Sequence, residues 1–328
     1  MVFNSLEDLI AEGGLRPILQ DRTDDLFLVA ASFEPRSVAL TSGLAPSYRA
    51  FNSLIYVNND FMATPAAEAM KRTIASLKLG LAPKSDHCKV IDGSWENINV
   101  QVEAIRKAFA EIVLGTTPAK VTIDCTTFSR EALIMCLAML HSHFPGASVR
   151  AAYVSPQVHG PWLSRGYRKV RSVVGFSGVQ QPSRPSVLIV LSGFEGDRTL
   201  KLIEEYEPSR VLLGVGDPPT SAGFLERNLG EQKLVLGRTD VNEFRFPANS
   251  ISECTAALEA VIKPLLESSN LVIAPMSTKL STLAALNVAE RHREIQLAYC
   301  LPGEYNYSDY STGTSRIFIE DLKADEKT

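Results

Sequence analysis

Short apolar, β-branched runs alternate along the chain with longer stretches whose apolar residues recur at helical spacing. That alternation predicts a mainly parallel sheet covered by helices, because a strand buried on both faces reads as a continuous apolar run. In the first half it predicts strands at Leu26–Ser32, Ser53–Asn58, Cys88–Asp92, Lys120–Cys125 and Val149–Val154. Helices are predicted at Arg36–Leu44, Pro65–Leu81, Asn97–Leu114 and Ser129–Phe144, with Thr64-Pro65 as a capped helix start. Val102, Ile105, Phe109, Ile112 and Val113 recur at helical spacing and predict a core stripe. The second half predicts strands at Ser186–Leu191, Arg210–Val215, Lys233–Leu236, Leu271–Ala274 and Ile295–Cys300. Its helices are predicted at Arg198–Tyr206, Ala222–Leu229, Ser252–Ser268 and Lys279–Arg291. Met1–Gly13 reads as a short amphipathic helix carrying acids, unlike a signal peptide.

Polar signatures recur in the same order. Ser32-Phe33-Glu34-Pro35-Arg36, after the first strand, answers to Gly193-Phe194-Glu195-Gly196-Asp197-Arg198. Asp124–Arg130, after the fourth, answers to Pro275–Lys279; Tyr153–Pro156, after the fifth, answers to Tyr299–Pro302. Ser164-Arg165-Gly166 then answers to Ser311-Thr312-Gly313, each followed by a strand-like run, Tyr167–Val174 and Ser315–Glu320. Four ordered matches predict an α/β fold of two tandem Rossmann-like units with mainly parallel sheets and a pseudo-twofold internal duplication. The expected units are residues 1–176 and 186–328, joined by the polar linker 177–185.

Composition narrows the classes. Of 328 residues, 45% are hydrophobic and 21% charged, which fills two cores and argues against disorder. A net charge of −4 argues against a broad nucleic-acid surface and leaves room for a local basic pocket. No apolar run is long enough to span a bilayer. With no such run no membrane partner is expected, and the five cysteines, widely spaced and mostly in apolar runs, predict reduced thiols and a cytoplasmic location. No Cys or His spacing matches a zinc site, His141 and His143 included, so no metal or cofactor is expected.

In a parallel α/β sheet ligands bind beyond the carboxyl ends of the strands, and every repeated signature falls on that edge. Thr126, Thr127, Ser129 and Arg130 join a strand to a helix start, where hydroxyls, unpaired N–H groups and a cation suit an anion. Ser277, Thr278 and Lys279 offer the same set; plain helix capping is the alternative for both loops. Glu34 with Arg36, and Glu195 with Asp197 and Arg198, read either as ion pairs holding a loop or as carboxylates for sugar hydroxyls or proton transfer. Asp217, in a Gly-rich turn, and Tyr305, Ser311 and Gly313 complete the expected ligand contacts. No P-loop, nucleophile elbow or HExxH pattern is present.

The stretch Val272-Ile273-Ala274-Pro275-Met276-Ser277-Thr278-Lys279-Leu280-Ser281-Thr282-Leu283-Ala284, followed by Ile295–Tyr299, resembles the fourth-strand motif of CARF domains. In that family a strand runs into a Gly-Gly-Thr-Lys-like loop and a helix; here Met276-Ser277 stands where the glycines would be. Asp124–Arg130 looks like a looser copy. The resemblance implies Rossmann-like sensors of cyclic oligonucleotides in prokaryotic antiviral defence. It also implies two units fused in one chain, as in the related SAVED domains, with Thr278 and Lys279 as ligand-loop hydroxyl and lysine.

The expectation is therefore a nucleotide-binding module with its ligand in a cleft between the halves. Glu34, Arg36, Thr126, Thr127, Ser129 and Arg130 would line one side, and Glu195, Asp197, Arg198, Ser277, Thr278 and Lys279 the other. Two alternatives stay open. One is an enzyme of nucleotide-hydrolase or glycosyl-transfer type working through Glu34 or Glu195. The other is an accessory subunit that binds a protein partner.

Overall fold

The computed structural model describes residues 2–3, 18–112, 114–115 and 119–322. The strands are β1 (Val2–Phe3), β2 (Thr23–Ala31), β3 (Arg49–Asn58), β4 (Ser85–Gly93), β5 (Lys120–Asp124), β6 (Ser148–Val154), β7 (Val158–His159) and β8 (Ser164–Ser172). They continue as β9 (Ser186–Leu191), β10 (Arg210–Gly216), β11 (Val241–Phe246), β12 (Asn270–Pro275), β13 (Gln296–Tyr305), β14 (Ser311–Thr312) and β15 (Ile317–Leu322). The helices are α1 (Ala39–Gly43), α2 (Ala67–Leu81), α3 (Ile98–Ala110), α4 (Arg130–His143), α5 (Gly196–Tyr206), α6 (Phe224–Glu231), α7 (Lys233–Leu236), α8 (Ile251–Ile262) and α9 (Lys279–Arg291).

The chain forms two compact units. The first runs to Val158 and resumes at Ser311; the second is His159–Tyr310. Each holds a mainly parallel sheet interleaved with helices, so the fold is α/β and consistent with two Rossmann-like units.

In the first unit the order is β1-β15-β6-β5-β2-β3-β4. From β6 to β4 all neighbours are parallel, and β15 and β1 close one side antiparallel. Counting its parallel strands along the chain gives 3-2-1-4-5, the Rossmann order. Leu26–Ala31 of β2 are all buried, as the central strand of a doubly covered sheet must be. Ile105 and Phe109 anchor α3 in this core, Val102 and Ile112 are half-buried, and Val113 lies outside the described residues.

In the second unit the order is β11-β10-β9-β12-β13-β8, with β8 alone antiparallel. Its parallel strands again read 3-2-1-4-5. The core gathers Leu188, Val190, Leu202, Val211, Leu213, Val235, Val272 and Ala274.

Three expectations need correction. Lys233–Leu236 is a helical turn, and the third strand is Val241–Phe246. A four-residue apolar run fits either state, and here Val235 turns into the core while Leu234 is 78% exposed. The true strand lies at the sheet edge and its apolar residues, Val241, Phe244 and Phe246, are interrupted by polar ones, so it carries no apolar run. The segment 177–185 is not the domain boundary. It joins β8 to β9, which belong to one sheet, and it is tied down there by Asn270, whose amide donates to Gln181 O and Arg184 O. Finally, Val2–Phe3 is a strand paired with β15, and the rest of the helix expected over 1–13 lies outside the described residues.

The boundary correction exposes an exchange. The last strand of the first sequence half, β8, completes the second sheet beside β13. The last strand of the second half, β15, completes the first sheet beside β6.

Candidate functional site

In both units the crevice expected of this strand order lies beyond the first and fourth parallel strands. In the first unit its hydroxyls are already engaged. Thr127 Oγ1 donates to Ala30 O (2.8 Å), Thr126 Oγ1 accepts from Val154 N (3.0 Å), and Ser129 caps α4 by accepting from Ala132 N (3.2 Å). Arg130, the first residue of α4, is half-buried. In the second unit Thr278 caps α9 through Ser281 N (3.1 Å) and donates to Ala248 O (3.0 Å). Ser277 is buried beside it and Lys279 is half-buried. Gly193 lets the two loops touch: a Cβ there would lie 2.3 Å from Met276 O. The hydroxyls of Thr126, Thr127, Ser129 and Thr278 therefore cap and brace.

The Phe-Glu-Arg signatures build two different clusters. In the first unit Glu34 Oε2 accepts from Arg36 Nε (3.0 Å), Arg36 Nη2 and Ser311 Oγ (2.9 Å), while Arg36 Nη1 donates to Val154 O (2.8 Å). Glu34 and Arg36 are buried, so this is a closed ion pair that ties the β2 loop to β6 and the β15 lead-in. Gly313, two residues past Ser311, takes a φ of +65° in that lead-in. Behind the pair lies Asp124, whose Oδ1 accepts from Thr126 N (3.1 Å). Burial pushes the Asp124 carboxyl up to about 6, against hydrogen bonds from Thr126 and the charge of Arg36.

In the second unit Glu195 Oε1 accepts from Ser164 Oγ (3.0 Å), and Arg198 reaches that serine (Nη1, 3.4 Å) and Cys300 O instead of the carboxylate. Burial opposes the charge on Arg198, but Glu195 and the surrounding Tyr299, Cys300 and Tyr305 raise its pKa overall. Glu195 forms part of the wall of a cavity of about 390 Å³, and among the described residues no donor reaches its Oε2.

The cavity is assembled from three pieces of the second unit. The start of α5 supplies Glu195, Gly196 and Asp197; the segment leading into β8 supplies Trp162, Ser164 and Arg165; α6 and α7 supply Arg227, Glu231 and Leu234. Two side chains fix α6 to the β9 loop. Asn228 Nδ2 donates to Ser192 O (3.1 Å) and Gly193 O (2.6 Å), and Gln232 Nε2 donates to Gly193 O (2.9 Å). Arg227 holds the third wall: its guanidinium lies 4.1 Å from the Phe194 ring centroid and donates to Gly160 O (2.7 Å) and Pro161 O (3.0 Å). Arg165 stacks 4.3 Å from the centroid of Trp162, and Asp197 accepts from Gly166 N (2.9 Å).

Of the expected contacts, Glu195 and Asp197 meet in this cavity. Asp217 is exposed beside Arg245 (3.8 Å), away from the cavity wall. Tyr305 packs with Tyr307 and Tyr310, at 6.4 Å between centroids. Asn306 joins that loop to the cavity segment, its amide donating to Trp162 O (2.9 Å) and its backbone N–H to Leu163 O (2.9 Å). Trp162, Arg227, Asn228 and Gln232 were not singled out, since none belongs to a repeated signature, and Arg165 stood in one without being taken as a contact.

Among the described residues no group of His, Cys, Asp and Glu is placed to hold a metal ion, and no helix is long and apolar enough to cross a membrane. Cys88 is exposed, and Cys125, Cys136, Cys254 and Cys300 are buried free thiols. No protein-family model matches the chain, and no curated protein matches it.

Proposed function

We propose that the protein is a nucleotide-binding module whose second unit holds one nucleotide, or one nucleotide unit of an oligonucleotide, without turning it over. The cavity carries this reading. Its volume of about 390 Å³ is in the range of small-molecule pockets, and its wall combines an indole, an uncommitted carboxylate oxygen, the start of α5, and two arginines, Arg165 of β8 and Arg227 of α6. The base would lie against Trp162, the ribose hydroxyls would donate to Glu195, and the phosphate would meet Arg165 and the first turn of α5. The proposed setting, sensing in a prokaryotic defence-type system, rests on the CARF resemblance.

Isothermal titration with mononucleotides and cyclic oligonucleotides tests the reading. Trp162→Ala should weaken binding by about 1 to 3 kcal/mol, the worth of one base stacked on an aromatic ring. Unchanged affinity in that variant, or no binding by any member of the panel, overturns it. Conversion of a bound nucleotide that Glu195→Gln abolishes would establish the enzyme reading in its place.

A further inference from the structure

β8 carries four cations in seven residues, Arg165, Arg168, Lys169 and Arg171, and no acid. It forms an edge of the six-stranded sheet, and every residue from Arg165 to Lys169 is exposed. The chain as a whole has a charge of −4, so this concentration is local. Across the ladder, Lys169, Val170 and Arg171 face Leu301, Cys300 and Tyr299, Arg165 faces Glu304, and Arg168 Nε donates to Gly303 O (3.1 Å). The strand in the corresponding place of the other unit, β15, reads Ile317-Phe318-Ile319-Glu320-Asp321-Leu322 and contains no cation. Rings are interleaved with the charges: Trp162 stacks on Arg165, and Tyr167 lies 4.8 Å from Lys201 Nζ.

The N-terminal end of this strand enters the cavity, through Trp162, Ser164 and Arg165. We propose that the second unit binds the end of a single-stranded nucleic acid, with the terminal nucleotide in the cavity and the following phosphates along β8. This rests on the reading of the cavity as a nucleotide pocket and names its ligand. Arg165 to Arg171 span about 20 Å, enough for roughly three phosphates to meet the cations. Alternation directs Lys169 and Arg171 to the face opposite Val170, which packs on the core, so cations flank the edge on both sides.

The probe is a labelled single-stranded RNA of about 12 nucleotides, read by fluorescence anisotropy, beside AMP titrated calorimetrically. The RNA should bind at least tenfold more tightly than AMP. Its log affinity should fall with log salt at a slope near −2, about −0.7 for each neutralised phosphate. The Arg168→Ala/Lys169→Ala/Arg171→Ala variant should lose that tenfold advantage and keep its affinity for AMP. Lys169→Ala alone, at an exposed position, should flatten the slope by about 0.7 if the triple variant does not fold. RNA bound no more tightly than AMP overturns the proposal, as does wild-type RNA affinity in the folded triple variant, which would leave the cations as guards of a sheet edge. Duplex RNA of the same length competing equally well also overturns it. Salt-dependent RNA binding lost in the triple variant, with no AMP binding by the wild type, would support the β8 track while removing the mononucleotide reading of the cavity.

Discussion

The two Glu-Arg-Ser clusters use the same residue types and reach opposite ends. In the first unit Glu34 and Arg36 are two apart, with Pro35 between them beginning a short 3-10 turn, and acid and base close on each other. In the second, Gly196 and Asp197 intervene, α5 starts at Gly196, and Arg198 is carried round to Ser164 and Cys300 O. One inserted residue thus separates a strut from a carboxylate that faces a cavity. The serine is common to both, Ser311 in one and Ser164 in the other, and each comes from the exchanged end of the opposite sequence half.

The largest expected effect breaks the closed pair. Glu34→Gln leaves Arg36 buried without its counter-charge and should cost about 3 to 5 kcal/mol in urea unfolding. Glu195→Gln should cost much less, because a serine already stands between it and Arg198. Equal losses from the two substitutions would erase the distinction.

Asp124 gives the next effect, and it has no counterpart in the second unit, where Pro275 holds the matching place. Its folded pKa of about 6 lies above the ordinary 3.8, so the protonated form is the one the fold favours. Its contribution is fully present below pH 4 and is lost as pH rises through 6, by about 3 kcal/mol. Asp124→Asn should therefore stabilise the protein at pH 7 and flatten melting temperature against pH between 4 and 7. A wild-type pH slope retained in that variant would contradict the assignment.

Gly196→Ala should be destabilising by about 1 to 3 kcal/mol, because its Cβ would lie 2.3 Å from Glu231 O and push α5 from α6. Ligand affinity should fall with it, since both helices wall the cavity. The smallest effects belong to the caps. Ser129→Ala and Thr278→Ala should each cost about 1 kcal/mol by thermal denaturation. Neither should alter nucleotide affinity, and a large loss of binding in Thr278→Ala would restore the β12 loop as a ligand site.

Most of the fold was legible because the strands are apolar runs buried on both faces, and Ser186–Leu191 and Lys279–Arg291 match to the residue. β11 was not, because an edge strand buries little and polar residues interrupt the apolar ones of Val241–Phe246. The unit boundary was hidden because hydrogen bonding between strands distant in sequence leaves no local mark on composition. The site was half legible. Glu195 stood out as a repeated glutamate and Asp197 as its neighbour in the same signature, whereas Trp162, Arg227 and Asn228 act through tertiary contacts that no short spacing encodes. The capping reading of Ser129 and Thr278 was already available, since hydroxyls at a helix start serve caps and ligands alike.

The exchanged end strands also set an order of events on the ribosome. The second unit is one continuous segment and can close as soon as β13 has emerged. The first cannot, because Val154 of β6 waits for Ile317 of β15, about 160 residues further on. At ordinary rates of synthesis that is roughly 10 to 30 s during which β6 presents an unpaired edge. The first unit is therefore the last to finish and the more dependent on protection while nascent, although most of its residues are made first.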